Sequence, residues 1–286
     1  MATTVASLIQ RVRRRCGDWP EIDVLGASIT SSGATVTVSD TASPRYWKNQ
    51  RIEIGYETLL VDAVASSTTL TVFRGVHGST AASYPSGQTV LVQPAFMSME
   101  ILDALNDGLD NLWPFFYQDV IDTSLTGDGE TYEFTVPSLT TPAIVLPRLH
   151  TVELRQSGLT EYVQTRSFEI LRGATPKIKF WFPPPASCNI RLRGYGPLPH
   201  VTTADSTHAQ LPYMADDLAV NWAVGQLLLS GEARRVRRDT GVIDQREQAN
   251  RVGASLAASR DWRGTFYQQR SDLAMSPMSR HVILGL

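Results

Sequence analysis

Residues 101–114, Ile101-Leu102-Asp103-Ala104-Leu105-Asn106-Asp107-Gly108-Leu109-Asp110-Asn111-Leu112-Trp113-Pro114, decide how the chain is expected to fold. Ile101, Leu105, Leu109 and Leu112 recur at i, i+4, i+8 and i+11, and Leu102 and Trp113 widen the stripe. That is the period of an amphipathic helix. Ser98 stands where it can cap the helix, and Glu100 falls in the first turn, where the positive end of the dipole favours an acid. Pro114 limits the continuation.

Working outward, three more segments meet the same criteria. Thr3 and Thr4 can cap a first helix in which Val5, Leu8, Ile9 and Val12 form one stripe, with Arg13, Arg14 and Arg15 near its C-terminus and Gly17 as the stop. Pro212 fits the first turn of a third, lined by Leu218, Trp222, Gly225 and Leu229 and ending in Arg234-Arg235-Val236-Arg237-Arg238. A fourth runs from Val242 to Leu273, where Ala249, Gly253 and Ala257 predict a groove for close helix approach, and Pro277 ends it. Between them the texture is β. Thr35-Val36-Thr37-Val38, Leu70-Thr71-Val72 and Arg51 to Val61 predict five or six strands with turns at Ser31-Ser32-Gly33 and Pro85-Ser86-Gly87. Tyr132 to Val136, Thr151 to Arg155, Lys177 to Phe182 and Asn189 to Arg193 alternate in a second stretch, broken by Pro183-Pro184-Pro185.

The expected fold is therefore α+β, a four-helix bundle-like frame with two antiparallel β-rich insertions of small barrel or sandwich type. The frame takes 1–21, 95–118 and 210–274, the insertions are 22–94 and 119–209, and 275–286 form an extended C-terminal tail.

Composition narrows the function classes. With 286 residues, 42% hydrophobic and 19% charged, the chain can bury a sizeable core without metal or disulfide. A formal net charge of −2 argues against a general nucleic-acid binder. Cys16 and Cys188 are far apart in sequence; they read as lone thiols of a reducing cytoplasm, with one disulfide between them left open. Met1 to Leu8 lack an apolar core of a secretory signal, and no stretch is apolar enough to span a bilayer, so a soluble protein without a membrane partner is expected.

No catalytic constellation stands out. The five histidines are isolated, and no GxSxG, GxxxxGK[ST] or GxGxxG occurs. Gly127-Asp128-Gly129-Glu130 resembles part of a calcium loop, but without the remaining ligand spacing a hairpin turn accounts for it better. Asp216-Asp217 sit in the first turn of a helix, where acids are favoured anyway. No enzyme activity, metal or cofactor is expected. Arg234, Arg235, Arg237 and Arg238 suit a solvated helix end or a salt bridge to a neighbour better than DNA contact. Trp113, Phe115 and Phe116 suit a core corner, with an intersubunit anchor as the alternative. Val282, Ile283, Leu284 and Leu286 make the tail too apolar for a free end.

Three stretches carry a family resemblance. The helix around Ala104-Leu105-Asn106 through Leu112-Trp113-Pro114 resembles the "ALN…L…LWP" helix of phage neck proteins. Phe73-Arg74-Gly75-Val76-His77-Gly78-Ser79-Thr80-Ala81-Ala82 with Gly87-Gln88-Thr89-Val90 resembles an "RGxxGT.A…G..V" hairpin of phage virion proteins. Trp181-Phe182-Pro183-Pro184-Pro185 followed by Arg191 to Pro197 is similar to a strand–turn–strand unit of related connectors. Together they resemble the head-to-tail connector, or adaptor, proteins of tailed bacteriophages. The resemblance implies a virion neck protein assembled in the host cytoplasm. It would form a homo-oligomeric ring, a dodecamer, between the portal protein and tail or neck proteins, with genomic double-stranded DNA passing through unread. It also implies that the tail, with Val282, Ile283, Leu284 and Leu286, meets the portal or a neighbouring subunit, and the arginine run is a further candidate for such a contact. A tail or baseplate protein whose β modules bind a receptor or glycan is the alternative, resting on Trp47, Tyr56 and Trp181.

Overall fold

Between Glu21 and Val92 the alternating runs become six antiparallel strands: β1 (Glu21–Val24), β2 (Thr35–Thr37), β3 (Arg51–Ile54), β4 (Glu57–Val64), β5 (Thr69–Val76) and β6 (Thr89–Val92). Their spatial order is β1-β6-β3-β4-β5-β2. The sheet curls until its two outer strands meet, with Leu25 bridging Val38. Side chains at alternate positions fill the interior, among them Ile52, Ile54, Leu59, Val61, Leu70, Val72, Val90 and Val92. The computed structural model describes residues 4–39, 46–136, 149–173, 175–203, 215–239 and 254–275.

A second pair of sheets lies further along. β7 (Gln118–Thr126), β9 (Leu149–Arg155), β10 (Val163–Thr165) and β13 (Asn189–Gly196) are ordered β10-β9-β13-β7, and β8 (Glu133–Thr135), β11 (Phe168–Leu171) and β12 (Lys177–Phe180) are ordered β11-β12-β8. The two sheets share one core of Val136, Leu149, Val152, Ile178, Phe180, Ile190 and Leu192. The helices are α1 (Val5–Cys16), α2 (Ser98–Leu112), α3 (Ala215–Asp239) and α4 (Ala254–Met275). The described residues of Met1–Gly108 and His200–Gln269 make one compact unit, and those of Leu109–Pro199 and Arg270–Leu286 a second.

The expected fold class is overturned. Thirteen strands in three antiparallel sheets, against four helices among the described residues, make a mostly β protein and not a four-helix bundle-like frame carrying insertions. Two physical reasons account for the error. A helical stripe announces a buried face but not what covers it, and long helices give more periodic signal than strands of three or four residues. β7 gives almost none, because neither of its faces is fully buried.

Local chemistry explains the elements that do form. Thr4 caps α1 by accepting from Ser7 N, and Gly17 ends it at φ +69°. Gly225 of α3 leaves room for α4: Ser259 Oγ donates to Gly225 O (2.6 Å), and a Cβ on Gly225 would lie 2.7 Å from Arg263 Cγ. Of the small residues expected to form that close approach, Ala249 and Gly253 fall outside the described residues, and Ala257 is exposed. Asp217, in the first turn of α3, is paired with Arg11 and Arg15 of α1.

The Arg74-Gly75 pair is the lock of the barrel. Arg74 grips Glu57 with both ends of its fork, Nε to Oε1 and Nη2 to Oε2, each 2.6 Å, and its remaining hydrogens reach Thr30 O, Gly33 O and Ala82 O. Gly75 N and Ala82 N donate back to Glu57. Gly75 adopts φ +63°, and a Cβ there would meet Ser79 O at 3.2 Å. Arg74→Met leaves Glu57 buried without its counter-ion. Chemical denaturation is expected to show a loss of about 3–5 kcal/mol, with the slope against denaturant unchanged.

Candidate functional site

The site is built from a helix position that the stripe assigns to the interior but that carries a charge. Arg13 lies four residues after Ile9 and eight after Val5, on the buried side of α1. Its guanidinium reaches three other segments. Nη1 donates to Asp18 Oδ2 (2.9 Å) just past the helix, and Nη2 donates to Glu53 Oε1 (2.9 Å) on β3 and to Ser98 Oγ (3.2 Å) at the start of α2. Ser98 in turn donates its N–H to Glu53 Oε2 and its hydroxyl to Glu53 Oε1, both 2.6 Å. Asp18 accepts from Ala95 N and Phe96 N. Ser98 therefore does not act as the simple helix cap that its position suggests; its side chain is spent on Glu53.

Both oxygens of both carboxylates accept hydrogen bonds, so the cluster fastens four chain segments together and presents no ready base. Burial pushes the Glu53 carboxyl above its usual range, against the opposing pull of Arg13 and Ser98. Cys16, beside it, is pushed up to about 12 by burial and then by the Asp18 charge, which keeps the thiol protonated and a poor nucleophile at neutral pH. Cys16 and Cys188 are both free thiols. Among the described residues no group of three or more His, Cys, Asp or Glu side chains is placed to hold a metal ion. The Asp128 turn ties up its own carboxylate, which accepts from Glu130 N and Thr131 N and from the Thr131 hydroxyl.

Above the cluster, α1 and the barrel border an open groove of about 560 Å³. Trp19, Pro20, Ile22, Tyr56 and Leu91 supply apolar surface, and Arg14 lies among the lining residues. No helix among the described residues is long and apolar enough to cross a membrane.

The site residues expected from sequence are not those of the cluster. Arg234, Arg235, Arg237 and Arg238 fall in the last turns of α3, with their side chains outside the described set, and Val282, Ile283, Leu284 and Leu286 fall outside the described residues altogether. Trp113 and Phe116 are half-buried after α2, while Phe115 is exposed with the Arg270 guanidinium 4.4 Å from its ring centre. Sequence reading takes Arg13 for a helix-end cation and Ser98 for a cap, and it singles out neither Asp18 nor Glu53. The available signal is an arginine continuing an apolar stripe, together with Glu53 between two isoleucines, Ile52 and Ile54, in a short strand. No family model matches the chain, and no curated protein is significantly similar to it.

The raised Glu53 carboxyl fixes a sign. A group whose folded pKa lies above its unfolded value adds stability that is complete below the unfolded value, near 4.5, and is lost as pH rises through the folded one. Wild type measured against Glu53→Gln is therefore expected to lose relative stability on going from pH 4 towards neutrality. Denaturant midpoints at a series of pH values check this, and a difference that grows with pH would show the assignment to be wrong.

Proposed function

We propose that this chain is a structural component of a tailed-phage virion, a ring at the neck that joins the portal to the tail and leaves a channel for double-stranded DNA. The observation that carries this reading is the buried Arg13–Asp18–Glu53–Ser98 cluster, which fixes helix and barrel to one another at a surface otherwise rich in exposed apolar side chains. A subunit held between two larger assemblies needs rigidity between its elements and sticky outer faces more than it needs a reactive centre. The resemblance of residues 73–90 and 101–114 to virion proteins supports the same reading, and both stretches have structural work here: the first locks the barrel and the second forms α2. In this reading the partners are the portal protein, tail or neck proteins and further copies of the chain, and the place is the head–tail neck of a virion assembled in host cytoplasm.

A receptor- or glycan-binding tail protein is the second reading, favoured by the exposure of Trp47 and Trp181. Mixing the purified chain with purified portal rings and imaging the product by electron microscopy separates the two. Twelve-fold rings stacked on the portal are expected; no portal binding, together with saturable binding to host cell surfaces, would select the second reading.

A further inference from the structure

Two surface features of opposite shape are left over once the fold is accounted for. One is the groove beside α1, where Trp19 and Ile22 are 73% and 64% exposed. The other is the turn after β12, where Trp181 and Phe182 stand 62% and 74% exposed. Single exposed apolar residues are ordinary, but two adjacent aromatics on a fixed base mark an interaction site.

The base of that turn is fixed. Gly127 N donates to Cys188 O (2.7 Å), Ser187 N returns to Gly127 O (2.9 Å), and Gly129 N donates to Pro184 O (3.0 Å). Gly127 sits so close to the proline run that a Cβ would lie 2.6 Å from Pro185 O and 2.9 Å from Pro184 Cβ. Trp181 N is held by Ser167 O (3.0 Å). Aromatic side chains carried on a backbone ordered in this way lose little further freedom on being buried, which favours their use as anchors.

The two features match in size and in charge. A groove of about 560 Å³ is of the order that takes a pair of aromatic side chains. Asp128 and Glu130 are exposed on the turn that packs against the prolines, and Arg14 is exposed where it lines the groove. We infer that Trp181 and Phe182 of one copy seat in the groove beside α1 of a second copy, with Asp128 and Glu130 turned towards Arg14.

Such a contact is heterologous: each copy offers one aromatic pair and one groove, so copies add head to tail and either close into a ring or run on as a filament. Two aromatics bury roughly 150–250 Å² each, less than the roughly 800 Å² per partner of a standard interface. A single contact is accordingly weak, and closure of a ring is what makes it persist. The inference deepens the ring reading and rests on it for that closure, whereas pairing of two copies can be measured with no portal present.

The test uses the full chain in analytical ultracentrifugation. Trp181→Ala with Phe182→Ala removes the aromatic pair, and Ile22→Glu spoils the groove; all three positions are exposed, so both variants are expected to melt as wild type does. Each variant alone should self-associate at least about 30-fold more weakly. Mixed together at the highest soluble concentration they should form a one-to-one pair, held only as tightly as a single contact, and nothing larger, because one intact aromatic pair then meets one intact groove. The proposal is overturned if wild type stays monomeric at the highest soluble concentration, if either variant assembles like wild type, or if the mixture fails to pair. It is overturned as well if loss of the aromatic pair abolishes glycan or vesicle binding but leaves self-association intact. A chain that pairs as described yet ignores portal rings would sink the neck reading and leave this contact standing.

Discussion

Arg13 is the constraint around which the first unit is arranged. A guanidinium cannot lose its charge inside a protein, so burying it obliges the surroundings to supply acceptors in the directions of its fork. They come from the segment just past α1, from β3 and from the first residue of α2. None of these segments can slide along another without leaving a buried charge unmatched. A buried ion pair of this kind adds little net stability over an apolar replacement, and its use here is to select one arrangement of helix on barrel. The rise in the Glu53 carboxyl range shows the tension in that choice: burial works against the same charge that the arginine needs.

The barrel repeats the device with different parts. Glu57 and Arg74 form a bidentate pair whose leftover donors and acceptors hold the loops at Thr30, Gly33 and Ala82. Asp23 does the same on a smaller scale, accepting from Tyr46 (2.9 Å) and from the Ser39 hydroxyl. The second unit relies on other means. Arg191 is paired with Glu153 and lies 3.8 Å from the Tyr162 ring centre, while the turn at Gly127 is tightened by steric fit against prolines.

Much of the local structure was legible in sequence, and the architecture was not. The caps and stripe of α1 and the turn at Gly87 follow from short-range chemistry, which a single sequence displays. Strand content is underread because β7, β10 and β11 have no fully buried position, so their sequences carry little apolar alternation. The groove and its polar floor were hidden for another reason. Arg13, Glu53 and Ser98 are tens of residues apart, and each has an ordinary local explanation, respectively a helix end, a strand and a cap. Only the arginine's place in an apolar stripe hinted that it is buried, and nothing in sequence named its partners. Trp181 and Phe182 had a different difficulty: the alternation running into them reads as continued strand, whereas β12 stops at Phe180.

The meeting of the barrel's outer strands has a consequence for behaviour at high concentration. An open six-stranded sheet would leave two rows of backbone amides and carbonyls able to zip onto any passing strand, the usual route to tangled aggregates. Here β1 and β2 turn towards each other, Gly26 N donating to Thr37 O across the join. Contacts that the barrel makes with other copies must then run through side chains, which can be selective and reversible.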